Sequence, residues 1–137
     1  MESIYKNYEF ILKQTKEWHG EQERKYTGDP YWVHPLAVSK LLMNINAPTE
    51  VVYAALLHDV IEDTGVTYKE IVNLCGEPVA GLVLEVTDIS TELDGNRASR
   101  KEKDRFHLAK ASYWGKSLKL ADLIDNSRSI LRHDKQF

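Results

Sequence analysis

The 137-residue sequence contains a single cysteine, and this scarcity removes several classes of protein from consideration. One cysteine cannot form an internal disulfide, so the chain is not one of the small secreted domains that disulfides hold together. Nothing around Cys75 would stabilise a thiolate, and we interpret it as a small, partly buried side chain rather than a nucleophile. A reducing cytoplasm fits this use of cysteine.

Long runs of one kind of residue are also missing. No apolar run is long enough to span a bilayer, and Met1 is followed by Glu2 rather than by a charged and then apolar leader. The formal net charge is −3 and no long basic stretch occurs, which argues against general nucleic-acid binding. We therefore expect a cytoplasmic protein with neither a nucleic-acid nor a membrane partner. The composition leaves the oligomeric state open.

Strand-like alternation of apolar and polar residues is absent as well, whereas apolar residues recur at helical spacing. We predict an all-α fold, a single domain over residues 1–137 built as a helical bundle of six to seven helices. Two capping boxes, at residues 67–70 and 99–102, mark helix starts. The first two predicted helices cover residues 2–18 and 35–45, and the third starts near Thr49, runs through His58 and Asp59 and stops at Gly65. The others are a helix over residues 68–75, a segment opened by Pro78, one that begins after Ser99, and one that begins near Ser117.

What the sequence does contain is a cluster of ionisable residues inside an apolar stretch. His58 and Asp59 follow a run of apolar residues that is typical of a helix entering a core. Buried imidazoles and carboxylates usually pair or bind a metal ion, and two adjacent residues need partners from other elements. His34, before Pro35 at a helix entrance, and Asp122, among apolar residues of the last helix, are candidates. Two imidazoles and two carboxylates suit divalent Mn, Fe, Co or Zn, although an isolated His-Asp pair is more often a surface or hydrogen-bonded feature.

These residues belong to a longer set of motifs. A Pro-Tyr-x-x-His-Pro string precedes a His-Asp-x-x-Glu-Asp-Thr string, and a Lys-Leu-Ala-Asp-x-x-x-Asn string follows both. The chain thereby resembles the HD-domain metal-dependent phosphohydrolases, and within them the hydrolase domain of the RelA/SpoT alarmone enzymes and their small stand-alone homologues. The resemblance extends over roughly residues 19–130. The matching segments are Arg24–Lys25, Asp29–Pro35, His58–Thr64, Arg100–Lys101, Lys119–Asp122 and Asn126.

The resemblance implies an HD-domain fold and hydrolysis of the 3′-pyrophosphate of guanosine tetraphosphate or pentaphosphate, with release of pyrophosphate and GDP or GTP. It also implies a divalent metal, with Mn²⁺ as the first choice because the family commonly uses it. Occupancy should fall below about pH 6, because histidine ligands must be neutral. Glu62 and Asp63 lie one helical turn beyond the His-Asp pair and are predicted to be catalytic. They would deprotonate a water and return a proton to the leaving oxygen.

Two Arg-Lys pairs are candidates for holding the substrate. Arg24 and Lys25 would ordinarily be solvated surface charges, but in the related hydrolases an Arg-Lys pair here helps to hold the guanine nucleotide. Arg100 and Lys101 are predicted in the first turn of a helix, where free N–H groups and cations attract a phosphate. An exposed basic surface helix is the alternative for this second pair. By resemblance, Asn126 fixes the nucleoside.

Two other functions remain open from the sequence. A phosphomonoesterase acting on another nucleotide would share the metal site and differ in its pocket. A non-catalytic nucleotide sensor would keep the fold, but it has no need of Glu62 and Asp63. Two residues near the motifs are expected to stay outside the chemistry: His19 holds the loop that follows it, and Asp125 points outward.

Overall fold

The computed structural model describes residues 5–133, and nearly all of their regular structure is helical. The helices are α1 (Tyr8–His19), α2 (Val33–Asn44), α3 (Thr49–Leu57), α4 (Val60–Thr64), α5 (Tyr68–Cys75), α6 (Glu77–Val86), α7 (Arg97–Ala109) and α8 (Tyr113–His133), with a 3-10 turn at Glu92–Asp94. Seven of these helices have eight residues or more, in agreement with the predicted six to seven. The all-α prediction is therefore confirmed. Within the described range, no helix combines the length and the apolarity needed to cross a membrane.

Local signals in the sequence set several helix boundaries. Thr67 caps α5, because its side-chain oxygen accepts a hydrogen bond from the backbone N–H of Glu70 at 3.2 Å. This helix covers Tyr68–Cys75, which is the predicted range. Gly76 follows with a φ of 91°, in a region that glycine occupies without steric penalty. Pro78 then lies in the first turn of α6, as predicted.

Two later boundaries were predicted wrongly. The sequence placed the start of α7 after Ser99, but the helix begins at Arg97, because Asn96 caps it by accepting a hydrogen bond from the N–H of Ser99 at 2.9 Å. Asparagine is as good an N-cap as serine, so two start signals lay three residues apart and the earlier one is used. The last helix begins at Tyr113, four residues before the predicted Ser117.

The first helix is also shorter than predicted. It begins at Tyr8, whereas the prediction began at residue 2, which lies outside the described residues. Residues 5–7 are not helical, and two of them form hydrogen bonds with residues of the core instead. The O–H of Tyr5 donates to the carbonyl of Ala47 at 2.8 Å, and the O–H oxygen of Tyr53 accepts from the N–H of Asn7 at 2.8 Å.

The third helix, α3, is the centre of the fold. Every residue from Val51 to Leu57 is buried, and the helix packs against α1, α2, α6 and α8. A helix surrounded by other helices has to be apolar on all sides, and this one is. Full burial of one such leucine or valine stabilises the protein by about 1.5–3 kcal/mol relative to exposure. Because the buried run continues directly into His58, the fold places this imidazole, 3% exposed, at the end of the core.

Candidate metal centre and adjoining pocket

Four predicted ligands come together where α2, α3 and α8 meet. His34 lies in the first turn of α2, and Pro35 after it is the third helical residue, a place where a missing N–H is tolerated. His58 caps the C-terminus of α3, Asp59 leads into α4, and Asp122 lies in α8. The prediction of a single helix that runs through His58 and Asp59 to Gly65 is therefore wrong, because the chain breaks into two helices at this pair. One ligand atom from each of the four side chains lies within 4.8 Å of the others. Within residues 5–133 this is the one His/Asp/Glu/Cys group at such spacing.

The four side chains contact one another directly. Nε2 of His34 lies 2.8 Å from Oδ1 of Asp122 and 3.6 Å from Oδ2 of Asp59. Nε2 of His58 lies 3.0 Å from Oδ2 of Asp59 and 3.3 Å from Oδ1 of Asp122. Both imidazoles thus present the same nitrogen to the same two carboxylates. Two imidazole nitrogens and two carboxylate oxygens at these separations fit a single divalent transition-metal ion.

The other nitrogen of each imidazole has a fixed partner. Nδ1 of His58 lies 2.7 Å from the carbonyl oxygen of Ala55, and Nδ1 of His34 lies 2.7 Å from Oδ2 of Asp125. Both partners accept, so each Nδ1 carries the hydrogen and each neutral ring offers Nε2 as a ligand. The prediction that Asp125 points outward is wrong, because its side chain is only 13% exposed. Residues three apart share a helix face as residues four apart do, so Asp125 faces the cluster with Asp122.

The two carboxylates are held by neighbouring side chains. The O–H of Tyr31 donates to Oδ2 of Asp59 at 2.6 Å. Nζ of Lys119 donates to Oδ2 of Asp122 at 3.1 Å, and Nδ2 of Asn126 donates to Oδ1 of the same residue at 3.1 Å. Tyr31 and Lys119 had no predicted role. Lys119 lies three residues before Asp122 on the same helix, so helical spacing could have indicated it, whereas Tyr31 precedes α2 and contacts Asp59 from another part of the chain.

Charges at the cluster keep both carboxylates ionised. Burial alone would raise the pKa of Asp59, but the positive charge of His58 and hydrogen bonds to the carboxylate lower it to about 2. Burial opposes ionisation of Asp122 too, yet hydrogen bonds from His34 and His58 and the charge of Lys119 hold its pKa well below the usual range. A metal site needs deprotonated carboxylates, and these two are deprotonated at neutral pH.

Metal affinity should fall with falling pH, and this loss should begin above pH 6.5. Burial lowers the pKa of His58, but the charge of Asp59 and the hydrogen bond to Asp122 outweigh it and raise the pKa well above 6.5. The pKa of His34 is raised as well, against burial, by its hydrogen bonds to Asp122 and Asp125. A proton and a metal ion compete for each Nε2, so below the raised pKa each pH unit should cost about tenfold in affinity per displaced proton.

Calorimetric titration of the metal-free protein with Mn²⁺ between pH 6 and 8, in buffers of different ionisation enthalpy, measures this affinity and the protons released. The sequence alone predicts a loss below about pH 6, and with the carboxylates around both imidazoles we expect it to begin at higher pH. A constant affinity across this range, with no proton release, would contradict the expectation.

Glu62 and Asp63 extend from α4, and the charge of Asp59 acts on both. Oε1 of Glu62 accepts a hydrogen bond from the N–H of Asp88 at 2.6 Å, and Oδ2 of Asp63 accepts one from Nε2 of Gln22 at 3.3 Å. Burial of the carboxylate and nearby negative charge raise the pKa of Glu62 to about 7, against the hydrogen bond from Asp88. Burial, and then the charge of Asp59, raises the pKa of Asp63. Carboxylates shifted in this direction are suited to proton transfer near neutral pH.

The loop after α1 reaches Asp63 through two side chains. Nδ1 of His19 lies 3.0 Å from Oε1 of Gln22, and the amide nitrogen of the same Gln22 is the group that contacts Asp63. The ring of His19 is 5% exposed and lies 4.9 Å from the ring of Tyr31. These contacts agree with the structural role predicted for His19, and they add Gln22, which was not predicted, as the residue that orients Asp63.

A cavity of about 280 Å³ adjoins the cluster, near the lower end of the size range of small-molecule pockets. Arg24, Lys25 and Asn126, three of the predicted substrate-binding residues, line it together with Tyr31. Asn126 and Tyr31 also contact the predicted metal ligands, so they form the wall that the cavity and the cluster share. The side chain of Arg24 is 12% exposed, and its Nη2 lies 3.2 Å from Oδ2 of Asp125.

The second Arg-Lys pair lies on a different element. Arg100 and Lys101 are the fourth and fifth residues of α7, and the N–H of Arg100 already donates to the carbonyl of Asn96 at 3.0 Å. The expected free N–H groups beside this pair are therefore absent, and the prediction that both residues lie in the first turn is wrong. Lys101 lines a separate cavity with Ala98, Glu102 and Arg105. Within the described range, Nε of Arg100 is buried and has no hydrogen-bond partner.

Comparison with known families agrees with this geometry. The HD-domain family matches residues 12–114, most of the chain. The chain therefore belongs to the HD-domain family, as its motifs predicted. The matched range contains His34, His58 and Asp59 but ends before Asp122 and Asn126. The evidence that these last two residues belong to the site is their contacts: Asp122 with both imidazoles, and Asn126 with Asp122.

Several individual relatives carry the name guanosine-3′,5′-bis(diphosphate) 3′-pyrophosphohydrolase. The protein of that name from Aquifex aeolicus is 39% identical over 137 residues, which cover 98% of this chain and 19% of the relative. MESH1 from Danio rerio, with the same enzyme name, is 37% identical over 129 residues, 89% of this chain and 70% of the relative. A solved structure of a metazoan orthologue of SpoT that hydrolyses ppGpp has a TM-score of 0.82 and 34% identity, covering 98% of this chain and 74% of that one.

These matches confirm the resemblance to the RelA/SpoT hydrolases. The chain spans less than a fifth of the length of the first bacterial relatives, at 17%, 19% and 17% of three of them. The chain covers a larger share of the length of the animal relatives, 70% for the one from Danio rerio and 63% for the one from Drosophila melanogaster.

Proposed function

We propose that this chain hydrolyses the 3′-pyrophosphate of guanosine tetraphosphate or pentaphosphate, releasing pyrophosphate and GDP or GTP. The observation that carries the proposal is the shared wall between the cavity and the cluster, in which Asn126 lines the cavity and contacts Asp122. A nucleoside in the cavity would thereby have its ribose next to the predicted metal ligands. The enzyme names of the relatives from Aquifex aeolicus and Danio rerio support the same reaction. The substrate would be a small nucleotide of the cytoplasm.

His34, His58, Asp59 and Asp122 are proposed to hold one divalent ion. When bound there, such an ion supplies positive charge for the phosphate oxygens and lowers the pKa of a water molecule. Mn²⁺ is proposed first because of the family resemblance, and the two-imidazole, two-carboxylate set is also suited to Fe, Co or Zn. The chain supports the ligands through Tyr31 and Lys119, together with the acceptors on each Nδ1.

Glu62 and Asp63 are proposed to move the protons. In the reaction a water oxygen forms a bond to the phosphorus next to the ribose, and the bond from that phosphorus to the 3′ oxygen breaks. One carboxylate takes the proton from the water and a carboxylic acid returns a proton to the 3′ oxygen, which restores the hydroxyl of GDP. A carboxyl group with a pKa of about 7, as at Glu62, exchanges protons readily at neutral pH.

Arg24, Lys25 and Asn126 are proposed to hold the nucleoside side of the substrate, and Arg100 and Lys101 a pyrophosphate group. The first three residues line the cavity beside the cluster. A substrate with phosphates at both ends of one ribose is long enough to need cations on two elements. The partly buried Arg100, with its unpartnered Nε, and the exposed Lys101 are available on α7 for the second end.

Arg100→Ala should lower kcat/KM for guanosine tetraphosphate by roughly 10–150-fold, because a charge-assisted contact is worth about 1.5–3 kcal/mol. The loss should be smaller for the analogue with a single 3′-phosphate, which has less charge at that end. Arg97→Ala is the matched control, since Arg97 lies on the same helix, is exposed and does not line the cavity that contains Lys101. Steady-state rates on both substrates measure the difference, and equal losses on both would remove Arg100 from the pyrophosphate site.

A nucleotide panel tests the proposed function itself. Guanosine tetraphosphate, its 3′-monophosphate analogue, GTP and the adenosine counterpart are incubated with Mn²⁺-loaded protein, and the products are resolved by ³¹P NMR. Pyrophosphate and GDP from the tetraphosphate support the proposal. Preferred release of orthophosphate would make the protein a phosphomonoesterase, and binding with no product would make it a nucleotide sensor. Either of these outcomes would overturn the proposal.

A further inference from the structure

Asp125 joins two parts of the site that otherwise lie on separate elements. Its Oδ2 atom is 2.7 Å from Nδ1 of His34 and 3.2 Å from Nη2 of Arg24. One largely buried carboxylate oxygen therefore forms a hydrogen bond with a predicted metal ligand and an ion pair with a residue that lines the cavity. The side chains of all three residues are at most 13% exposed, so water does not readily replace any of these contacts.

The contact with His34 decides which nitrogen of that ring is available to a metal. A carboxylate only accepts, so Nδ1 carries the hydrogen and Nε2 faces Asp122 and Asp59 as a lone pair in the neutral ring. His58 achieves the same result with the backbone carbonyl of Ala55, which no side-chain substitution removes. The orientation of His34 alone depends on a side chain that can be replaced.

The contact with Arg24 decides where the guanidinium lies in the cavity. Its Nη2 donates a hydrogen bond to Oδ1 of Asn126, but at 3.5 Å this bond is long and its acceptor is uncharged. Asp125 is therefore the stronger of the two partners, and it holds Arg24 beside Lys25 on the cavity wall.

We infer that Asp125 is a positioning residue that orients His34 for the metal and Arg24 for the nucleotide through one carboxylate oxygen. The nucleotide half of this inference rests on the proposed function, and the metal half does not. Without Asp125, the buried Nδ1–H of His34 loses its acceptor and the ring is free to adopt the other tautomer or turn away. Arg24 loses the charge that holds it and becomes mobile in the cavity.

The metal half is tested by titrating metal-free protein with Mn²⁺. Asp125→Ala should weaken binding by about 10–100-fold, the usual effect of removing the partner of a histidine ligand. In protein loaded with diamagnetic Zn²⁺, nitrogen-15 NMR of the imidazoles should show the loss of the single Nδ1–H form of His34. Asp125→Asn keeps the shape and a neutral acceptor, so a smaller loss is expected, and it serves if the alanine variant does not fold. Asp94→Asn is the control. It removes a carboxylate that lies outside the cluster and pairs with Lys103 at 2.9 Å, and this variant should bind Mn²⁺ as tightly as the parent does.

The nucleotide half is tested by a double-mutant cycle on GDP binding to metal-free protein, where no turnover occurs. Arg24→Ala should weaken GDP binding about tenfold in the parent and less than about threefold in Asp125→Ala, because Arg24 is already unpositioned there. Additive losses would show that Asp125 does not position Arg24. Unchanged Mn²⁺ affinity in both Asp125 variants would show that it does not orient His34. Parent protein that binds Mn²⁺ but no GDP would contradict the proposed nucleotide function, while the metal titration still decides the role of Asp125.

Discussion

Replacing Asp122 with alanine should remove the bound metal and lower turnover by roughly 10³-fold or more, because the ion contributes several kcal/mol of charge stabilisation. Oδ1 of Asp122 lies within 3.3 Å of both ligand nitrogens, so its loss removes one ligand and the contact that draws the two imidazoles together. Lys119 also loses the carboxylate that it contacts at 3.1 Å. Its unpaired ammonium would then repel a cation at the site.

Metal content by elemental analysis and turnover of guanosine tetraphosphate measure this effect together. The variant must first be shown to fold, by far-UV circular dichroism and by melting of the metal-free protein beside the metal-free parent. Asp122→Asn is the matched variant, since it keeps the volume and removes the charge. Full metal content with full activity in Asp122→Ala would mean that this residue is not a ligand.

Replacing Glu62 with glutamine, or Asp63 with asparagine, should lower turnover by roughly 10²–10⁴-fold, the range for loss of a general acid or base. Metal content should stay at the parent level, because neither residue belongs to the four-residue cluster. This separates the two from Asp122, whose loss should remove both. Loss of metal along with activity in either amide variant would make that residue a ligand or a structural support instead of a proton carrier.

The pH dependence of kcat/KM should show whether Glu62 is the base that takes the proton from the water. As a base it must be ionised, so activity should fall as pH drops through its pKa, which burial and neighbouring charges raise from 4.5 to about 7. A divalent cation nearby favours the ionised form, so at saturating metal the acidic limb of the pH profile, where activity falls, should have a midpoint between these two pKa values. In Glu62→Gln this limb should disappear from the residual activity. Its persistence at the same pH would assign the base to another group.

The metal cluster could be predicted from sequence because its residues are set by local rules. His58 follows a run that is apolar on all sides, and such a run has only the protein interior to enter. Once an imidazole and a carboxylate are carried into a core, they require polar partners from other helices. Few residues qualify, and His34 and Asp122 were found for that reason.

Residues that depend on the approach of two elements were not predictable in the same way. The helix face of Asp125 could have been predicted from Asp122, but its partners could not, because His34 and Arg24 lie about a hundred residues away in the sequence. The position of Arg100 was misjudged because Asn96 and Ser99 both offer a helix start and only the folded loop decides between them. Sequence rules find candidates one element at a time, whereas tertiary packing decides which candidates share a site.

This His/Asp cluster, loaded with a divalent ion, is proposed to release pyrophosphate from the 3′ position of a guanosine polyphosphate. The most direct measurement strips the protein with a chelator, restores Mn²⁺ in steps, and follows pyrophosphate and GDP from guanosine tetraphosphate. The proposed function predicts no product from stripped protein, a rate that rises until one ion is bound per chain, and pyrophosphate and GDP in equal amounts. Pyrophosphate release by the stripped protein, or orthophosphate as the main product after Mn²⁺ is restored, would contradict it.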